Sequence, residues 1–397
     1  MEKPEISDHS GLSGSPVKVF PVRNSKALAR FLKQNPGQKF RIGAGLTAIH
    51  GAAVPKKNEI FIDMSGFRKL EWFDDEAGII IAEAGATMKA IRDFAAASGW
   101  CMPVLPGSLE KASIGGMIAC NGGGPLSLKF GKIAAFVLGM EVVLPSGKSH
   151  FSGGYATKIS EGIDSKSIWI GSEGTLGIIT HVVIRCKATL PEMIYYRFCS
   201  GNYFSLLKMV PALVQNDASL IEAAEEAALR FSSGASCHVL WAAFERAPRL
   251  SLPDGIQMEV VGPESMEERF QIGYGLQHYK PFLDLDVCFP LKTVVPALME
   301  IRELFNQAAL EHIFFGHAGD GNHHIHLFFN EDVAVWKQIA PRFDRLVKKH
   351  LGHISGEHGI GKIHASRFRK WMPETAKKMY CSLKQEFDPL SQLPSLF

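Results

Sequence analysis

The stretch Pro106–Gly131, "PGSLEKASIGGMIACNGGGPLSLKFG", decides how the rest of the chain is read. It holds Gly107, Gly115, Gly116, Gly122, Gly123, Gly124 and Gly131 with no repeating period. Such a density of glycine signals tight turns, or backbone that must come close to a ligand. Two further glycine segments lie in the same half of the chain, "GAGLTAIHG" (43–51) and "GSEGTLG" (171–177). Loops of this kind free backbone N–H groups that form anion-binding nests. Three of them converging would suit one large, extended, phosphate-bearing cofactor, and a dinucleotide fits that description.

Composition narrows the class. With 397 residues, 46% apolar and 21% charged, the chain is a globular protein too long for one ordinary core, so two domains or one large elaborated one are expected. Its 43 basic and 40 acidic groups leave a net charge of +3, no footprint for nucleic acid. The polar start, "MEKPEISDHSGLSGSP" (1–16), lacks the apolar core of a secretory signal, and no run approaches a membrane span. Seven scattered cysteines without a C-x-x-C pair read as reduced thiols of a cytoplasmic protein; peripheral membrane contact stays open.

Around the glycine loops the pattern predicts alternating elements. Leu28, Phe31 and Leu32 mark a helix behind a Ser25 cap, and "ATMKAIRDFAAASG" a second one capped by Thr87. "KFRIGAG", "EIFIDMS", "GIIIAEAG" and "FVLGMEVVLPSGKSHF" read as strands, and "SIWIGSEGTLGIITHVVIRC" as another strand pair. At Leu190-Pro191 glycine thins out. Beyond it, "FSLLKMVPALVQ" and "LIEAAEEAALRF" read as helices, "SCHVLWAAFE" and "IQMEVVG" as strands, and 293–311, 331–350 and 373–386 as helices, the middle one broken by Pro341. This alternation suggests a second α+β domain. A nicotinamide-type Rossmann unit at "GAG" with Asp63 downstream is the weaker alternative: the third glycine is missing, and Pro55 and "KKNE" leave no room for a crossover helix.

A second constellation is "GHAGDGNHHIHLFF" (316–329), four of the chain's fifteen histidines around an Asp-Gly turn. A hairpin there brings His317 and His324 together, with His326 on the face of His324 and His323 on the other. Glu357, beside His358 in "ISGEHGIG", offers a carboxylate, and two imidazoles with one carboxylate suit zinc, manganese or ferrous iron. Spacing alone leaves a metal site and a solvated hairpin both open.

The ordered segments "RIGAGLTAIHGAAVP", "IFIDMSGFRKL", "PGS…ASIGGMIACNGGGP…FG", "VLGMEVVLPSG" and "IGSEGTLGIIT" resemble the FAD-binding half of the vanillyl-alcohol-oxidase / p-cresol-methylhydroxylase flavoproteins. Within these the chain is most similar to the D-lactate dehydrogenase, glycolate oxidase D-subunit and D-2-hydroxyglutarate dehydrogenase branch, from about residue 17 to the C-terminus. The resemblance implies an α+β chain: a two-subdomain FAD-binding fold of the p-cresol-methylhydroxylase type over 17–190, and an α+β substrate (cap) domain with an antiparallel sheet and C-terminal helices over 191–397. It implies FAD held by Gly43, Ala44, Gly45, Leu46 and Thr47, by Pro106, Gly107 and Ser108, by Ser113, Ile114, Gly115 and Gly116, by Asn121 and Gly122, and by Gly174, Gly177 and Ile179. The position of a flavin-linked histidine holds Gly45 or Leu46, so the flavin is non-covalent, and His50 reads as an ordinary loop histidine.

"HAGDGNHH" and "SGEHGIG" match the branch's H-x-G-D-G-N-x-H and G-E-H-G-I-G motifs. That match implies His317, His324 and Glu357 as ligands of a divalent metal such as zinc or manganese, Asn322 beside flavin and substrate, and His358 as general base. The implied reaction oxidises a D-2-hydroxy acid and passes electrons to a separate acceptor, a quinone, a cytochrome or an electron-transfer protein. A homodimer or a place in a complex stays open. The alternative is a flavin-binding subunit that turns over no hydroxy acid. It draws on the substrate-carboxylate clamp, where Gly273 and Asp284 stand for an arginine and a lysine, leaving Arg269 or Lys280 to reach in.

Overall fold

The computed structural model describes residues 4–189, 192–276, 279, 281–329 and 334–396. The 190/191 boundary and Lys280 lie outside them. Contacts divide the chain into two compact units. The first comprises 1–123, 131–190 and 357–397, and the second 124–130 and 191–356. The C-terminal segment, read in the sequence with the second half, thus packs within the first unit.

The first unit is built on two sheets. In a three-stranded parallel sheet, Glu59–Asp63 lies between Lys18–Pro21 and Lys39–Gly43. A five-stranded antiparallel sheet runs in the order Ser149–Gly153, Val137–Val143, Ile178–Arg185, Ile79–Glu83, Leu70–Asp74. The near-continuous burial of Ile178–Arg185 and Val137–Val143 explains their Val/Ile-rich sequence. Helix Met88–Ala96 starts at Thr87 as expected, its Oγ1 accepting from Ala90 N at 3.1 Å. Helix Ser25–Gln34 is capped instead by Asn24, whose Oδ1 accepts from Ala27 N, which displaces the Ser25 cap. "SIWIGSEGTLGIITHVVIRC" gives a 3₁₀ turn and one strand, not a strand pair. Helix Glu374–Phe387 is anchored by Lys384, which donates to Thr175 O and Asp388 Oδ2, both at 2.6 Å.

The second unit is a seven-stranded antiparallel sheet in the order Ile256–Val261, Ile194–Ser200, His238–Phe244, Leu220–Ala224, His312–His317, Asn322–Phe328, Phe282–Cys288. Leu220–Ala224 corrects the helix expected from "LIEAAEEAALRF": a central strand buried at all five positions has no polar face to reveal its period. Only Glu226–Leu229 of that stretch is helical. "FSLLKMVPALVQ" gives two short helices, Tyr203–Leu207 and Val210–Gln215, the second restarted by Pro211 in its first turn. Pro341 does not break Ala334–Lys349: it sits on the exposed side, where water can take up the carbonyl it deprives of a partner.

The two faces of this sheet differ in chemistry. One carries Phe198, Leu240, Ala242, Ile221, Phe314 and Ile325, covered by Tyr203–Leu207 and by Leu291–Gln307, whose Phe305 meets His312. The other brings Glu222, His317, Asn322, His324, Asp286 and Asp284 onto adjacent strands. All six are buried. Among the described residues no helix is long and apolar enough to cross a membrane.

Candidate functional site

In the first unit the three glycine loops are held in conformations that glycine or strain must supply. Gly43 ends its strand, and Ala44–Thr47 turn away with Leu46 at φ +53°. Gly45 must lack a side chain, because a Cβ would stand 1.9 Å from Lys111 O. The N–H groups of Gly45, Leu46 and Thr47 donate to no protein acceptor among the described residues. Pro106, Gly107 and Ser108 form the turn before helix Ile114–Cys120, whose cap Ser113 Oγ accepts from Gly116 N at 3.2 Å. Gly115 packs on Ala84 and Gly177 on Val142, whereas Cβ atoms at Gly107 and Gly174 would meet open space or a distant methyl. Gly122 closes the helix by donating to Met117 O, and Ile179 lies buried in its strand.

Asn121 and Glu173 join Leu46 in the left-handed region, at φ +50° and +49°. Asn121 does so as the cap that ends helix Ile114–Cys120, whereas Leu46 and Glu173 are held there within their loops. Asn121 Oδ1 is closed off from solvent with no hydrogen-bond partner among the described residues. An orphaned polar atom, undonated N–H groups and side-chain-free backbone in these loops fit an anionic, polar cofactor with an extended body.

Glu357 and His358 also belong to the first unit, in a turn with Gly359 and Gly361 at φ +76° and +52°. Their side chains approach each other, His358 Nε2 to Glu357 Oε1 at 3.6 Å. Two residues that the sequence reading did not assign hold this turn. Glu173 accepts from Ile360 N at 2.6 Å through Oε1 and from Gly361 N at 2.8 Å through Oε2. Desolvation pushes its carboxyl up against the pull of those two donors. His50 corrects the reading of an ordinary loop histidine. It is buried, its Nδ1–H donates to Gly359 O at 2.7 Å, and its own carbonyl accepts from Lys362 N and Ile363 N.

In the second unit the hairpin forms as expected but is not a wet surface feature: every residue of Asn322–Phe328 is buried. The His317 and His324 rings meet edge to face, centroids 5.2 Å apart. Each is backed by a carboxylate. His317 Nδ1 lies 2.5 Å from Glu222 Oε1, and His324 Nδ1 3.4 Å from Asp286 Oδ1. The hydrogen bond to Glu222 fixes the tautomer of His317 and leaves its other nitrogen to ligate, the usual backing of a metal-binding histidine, while the Asp286 contact of His324 is an ion-pair distance without a hydrogen bond. This donor set therefore fits a divalent cation. Asn322 donates to Asp286 Oδ1 at 2.7 Å and to Val287 O, and Asp286 Oδ2 accepts from Gly356 N at 2.9 Å.

The neighbouring groups are committed. Arg269 is buried, its Nε 3.0 Å from Glu222 Oε2 and its guanidinium over the Phe315 ring. Asp284 lies 3.0 Å from His326 Nε2, and His326 stacks on Phe282, so that histidine is no bystander. Gly273 lies in helix Glu267–Leu276 with open space where a Cβ would stand. His323 points to the apolar face, and burial drives its imidazole pKa down to about 3.

Residues 18–152 match the FAD binding domain family, and residues 265–394 match the C-terminal domain of FAD linked oxidases. The chain is 30% identical over 400 residues to a D-lactate dehydrogenase of Archaeoglobus fulgidus, spanning 94% of this chain and 88% of that one. It belongs to the FAD-linked oxidase family. The chain is also 27% identical over 384 residues to a probable mitochondrial D-2-hydroxyglutarate dehydrogenase of Oryza sativa subsp. japonica, covering 88% and 68% of the two chains. A solved alkyldihydroxyacetonephosphate synthase shares its fold, with a TM-score of 0.68 at 17% identity over 94% of this chain and 75% of that one.

Proposed function

We propose that this FAD-linked oxidase oxidises a D-2-hydroxy acid of the lactate, glycolate or 2-hydroxyglutarate type to the 2-oxo acid. The observation that carries the reading is the buried pair His317 and His324, each backed by a carboxylate, in a chain whose other half carries the flavin loops. Non-covalent FAD would lie along Gly43–Thr47, Pro106–Ser108, Ser113–Gly116, Asn121–Gly122, Gly174, Gly177 and Ile179. When bound it supplies the acceptor for the hydride leaving C2.

His317, His324 and Glu357 would serve as ligands of a divalent metal such as zinc or manganese, a reading supported by the two motifs and by the carboxylate backing. Held there, the metal supplies the Lewis acidity that lowers the substrate hydroxyl pKa. His358 takes the hydroxyl proton, a task suited to an imidazole near neutral pH. Asn322, steered by Asp286, orients the substrate. Electrons leave to a quinone, a cytochrome or an electron-transfer protein, and the scattered free thiols accord with the cytoplasm.

The test is an anaerobic visible spectrum of the purified protein before and after D- and L-2-hydroxy acids. Bleaching of the flavin bands by one D-acid supports the reading, and Glu357→Ala should abolish it with flavin still bound. Flavin that no acid bleaches favours a second reading, a flavin-binding subunit without hydroxy-acid turnover. The commitment of Arg269 to Glu222, and of Asp284 to His326, speaks for that alternative.

A further inference from the structure

The turn that carries Glu357 and His358 makes hydrogen bonds to the first and third glycine loops (43–51 and 171–177), and its Gly359 lies near Cys120 in the helix of the second. His50, in the first loop, takes hold of it at both ends: its ring donates to Gly359 O, and its carbonyl receives Lys362 N at 2.8 Å and Ile363 N at 3.2 Å. Glu173, in the third loop, grips the middle through Ile360 N and Gly361 N. The third loop is in turn tied to the helix of the second, Gly171 N donating to Ile118 O at 2.9 Å and Glu173 N to Ala119 O at 2.8 Å. A Cβ on Gly359 would stand 3.0 Å from Glu173 Oε1 and 3.7 Å from Cys120 Sγ, and one on Gly361 would stand 2.1 Å from His50 O. The turn is therefore seated against protein at both glycines.

A carboxylate committed to two backbone amides does no proton transfer of its own, and a ring anchored through Nδ1–H to a carbonyl is held in one orientation. Their geometry serves placement. A long reach in sequence, from Glu173 to residue 361 and from His50 to residue 359, makes the base turn dependent on the cradle's loops.

We propose that Glu173 and His50 are positioning residues that lock the Glu357–His358 turn to the flavin-binding loops, so that the cradle sets where the base stands. The inference rests on the reading of His358 as the base. It predicts two separable effects of loosening the clamp. The amides of Ile360 to Ile363 should exchange faster with solvent deuterium, and turnover should fall through kcat, while the flavin stays bound and KM stays near its original value.

The test uses the FAD-loaded full chain with Glu173→Ala, Glu173→Gln, His50→Ala and His50→Asn, beside His358→Ala as control. Glu173→Ala and His50→Ala should accelerate exchange in 360–363 by about tenfold or more and lower kcat for flavin reduction by D-lactate, or whichever acid serves best, on the order of 100-fold. Glu173→Gln keeps one acceptor oxygen and should fall between. His50→Asn keeps an N–H donor and should recover most of kcat.

Faster exchange with unchanged kcat would overturn the positioning role, as would parallel loss of FAD and activity in all four variants, or no rescue by His50→Asn. Exchange unchanged in both alanine variants would overturn the clamp itself. Full turnover in His358→Ala would instead remove the functional reading, an outcome distinct from any of these.

Discussion

Acidification should weaken the second unit through one residue, His323. Its ring sits on the apolar face of the sheet, between Val287 and Gly316 on the flanking strands. Neither ring nitrogen has a hydrogen-bond partner among the described residues. Burial, reinforced by the charges of His324, His317 and Arg269, lowers its pKa from 6.5 to about 3. A base with a depressed folded pKa contributes stability that is present above the unfolded pKa and lost as pH falls toward the folded one.

At pH 5 the unfolded imidazole gains about a 30-fold preference from protonation that the folded one does not share, which is about 2 kcal/mol. For a unit of this size that corresponds to about 4–8 °C in Tm. The perturbation is His323→Leu, which removes the titration and leaves an apolar side chain of similar bulk. Thermal unfolding of both proteins at pH 7.5 and pH 5 gives the drop in each, and the difference between the drops isolates His323. The original protein should lose about 4–8 °C more than the variant. Equal drops would refute the assignment of a neutral, unpartnered histidine to this face.

Three further outcomes follow from the geometry. Gly361→Ala forces a residue at φ +52° to carry a Cβ 2.1 Å from His50 O, so it should cost about 1–2 kcal/mol in backbone strain alone and abolish substrate-driven flavin reduction; normal turnover would contradict it. Gly45→Ala puts a Cβ 1.9 Å from Lys111 O, and the protein should purify with little flavin, read from its 450 nm absorbance per chain. Glu222→Gln weakens the backing of His317 and leaves Arg269 without its counter-ion, so zinc or manganese affinity measured by calorimetry should fall about 10–100-fold; unchanged affinity would separate Glu222 from the metal.

Where the sequence was legible, local rules and burial agreed. Thr87 sits before an amphipathic run and caps it; the Asp-Gly turn joins two strands of high β-propensity; and the glycine loops stand where ordered motifs put them. Misreadings arose where tertiary context overrode local preference. "LIEAA" is rich in helix formers, yet it is the central strand of the sheet, and its Glu222 backs His317 from a fully buried position. The charged partners of the histidines were invisible because they come from strands distant in sequence: Asp284 and Asp286 gain meaning only through register with His326 and His324. Glu173 stood in plain sight within "GSEG", but its acceptor role is set by amides 187 and 188 residues further on. Pairings of that range leave no periodic trace.

The division of the chain carries a consequence for biosynthesis. The first unit is assembled from three separated segments, the last of them 357–397, while all but 124–130 of the second is the continuous run 191–356. On the ribosome, then, the inserted sheet is complete before the half that surrounds it in sequence. The usual order, N-terminal part first, is reversed: Phe40 must wait for Gln392, whose carbonyl accepts from its amide at 2.7 Å, and Thr175 must wait for Lys384. A chain cut before residue 357 would hold every strand of the histidine sheet, and a flavin half that still lacks the turn its loops are shaped to grip.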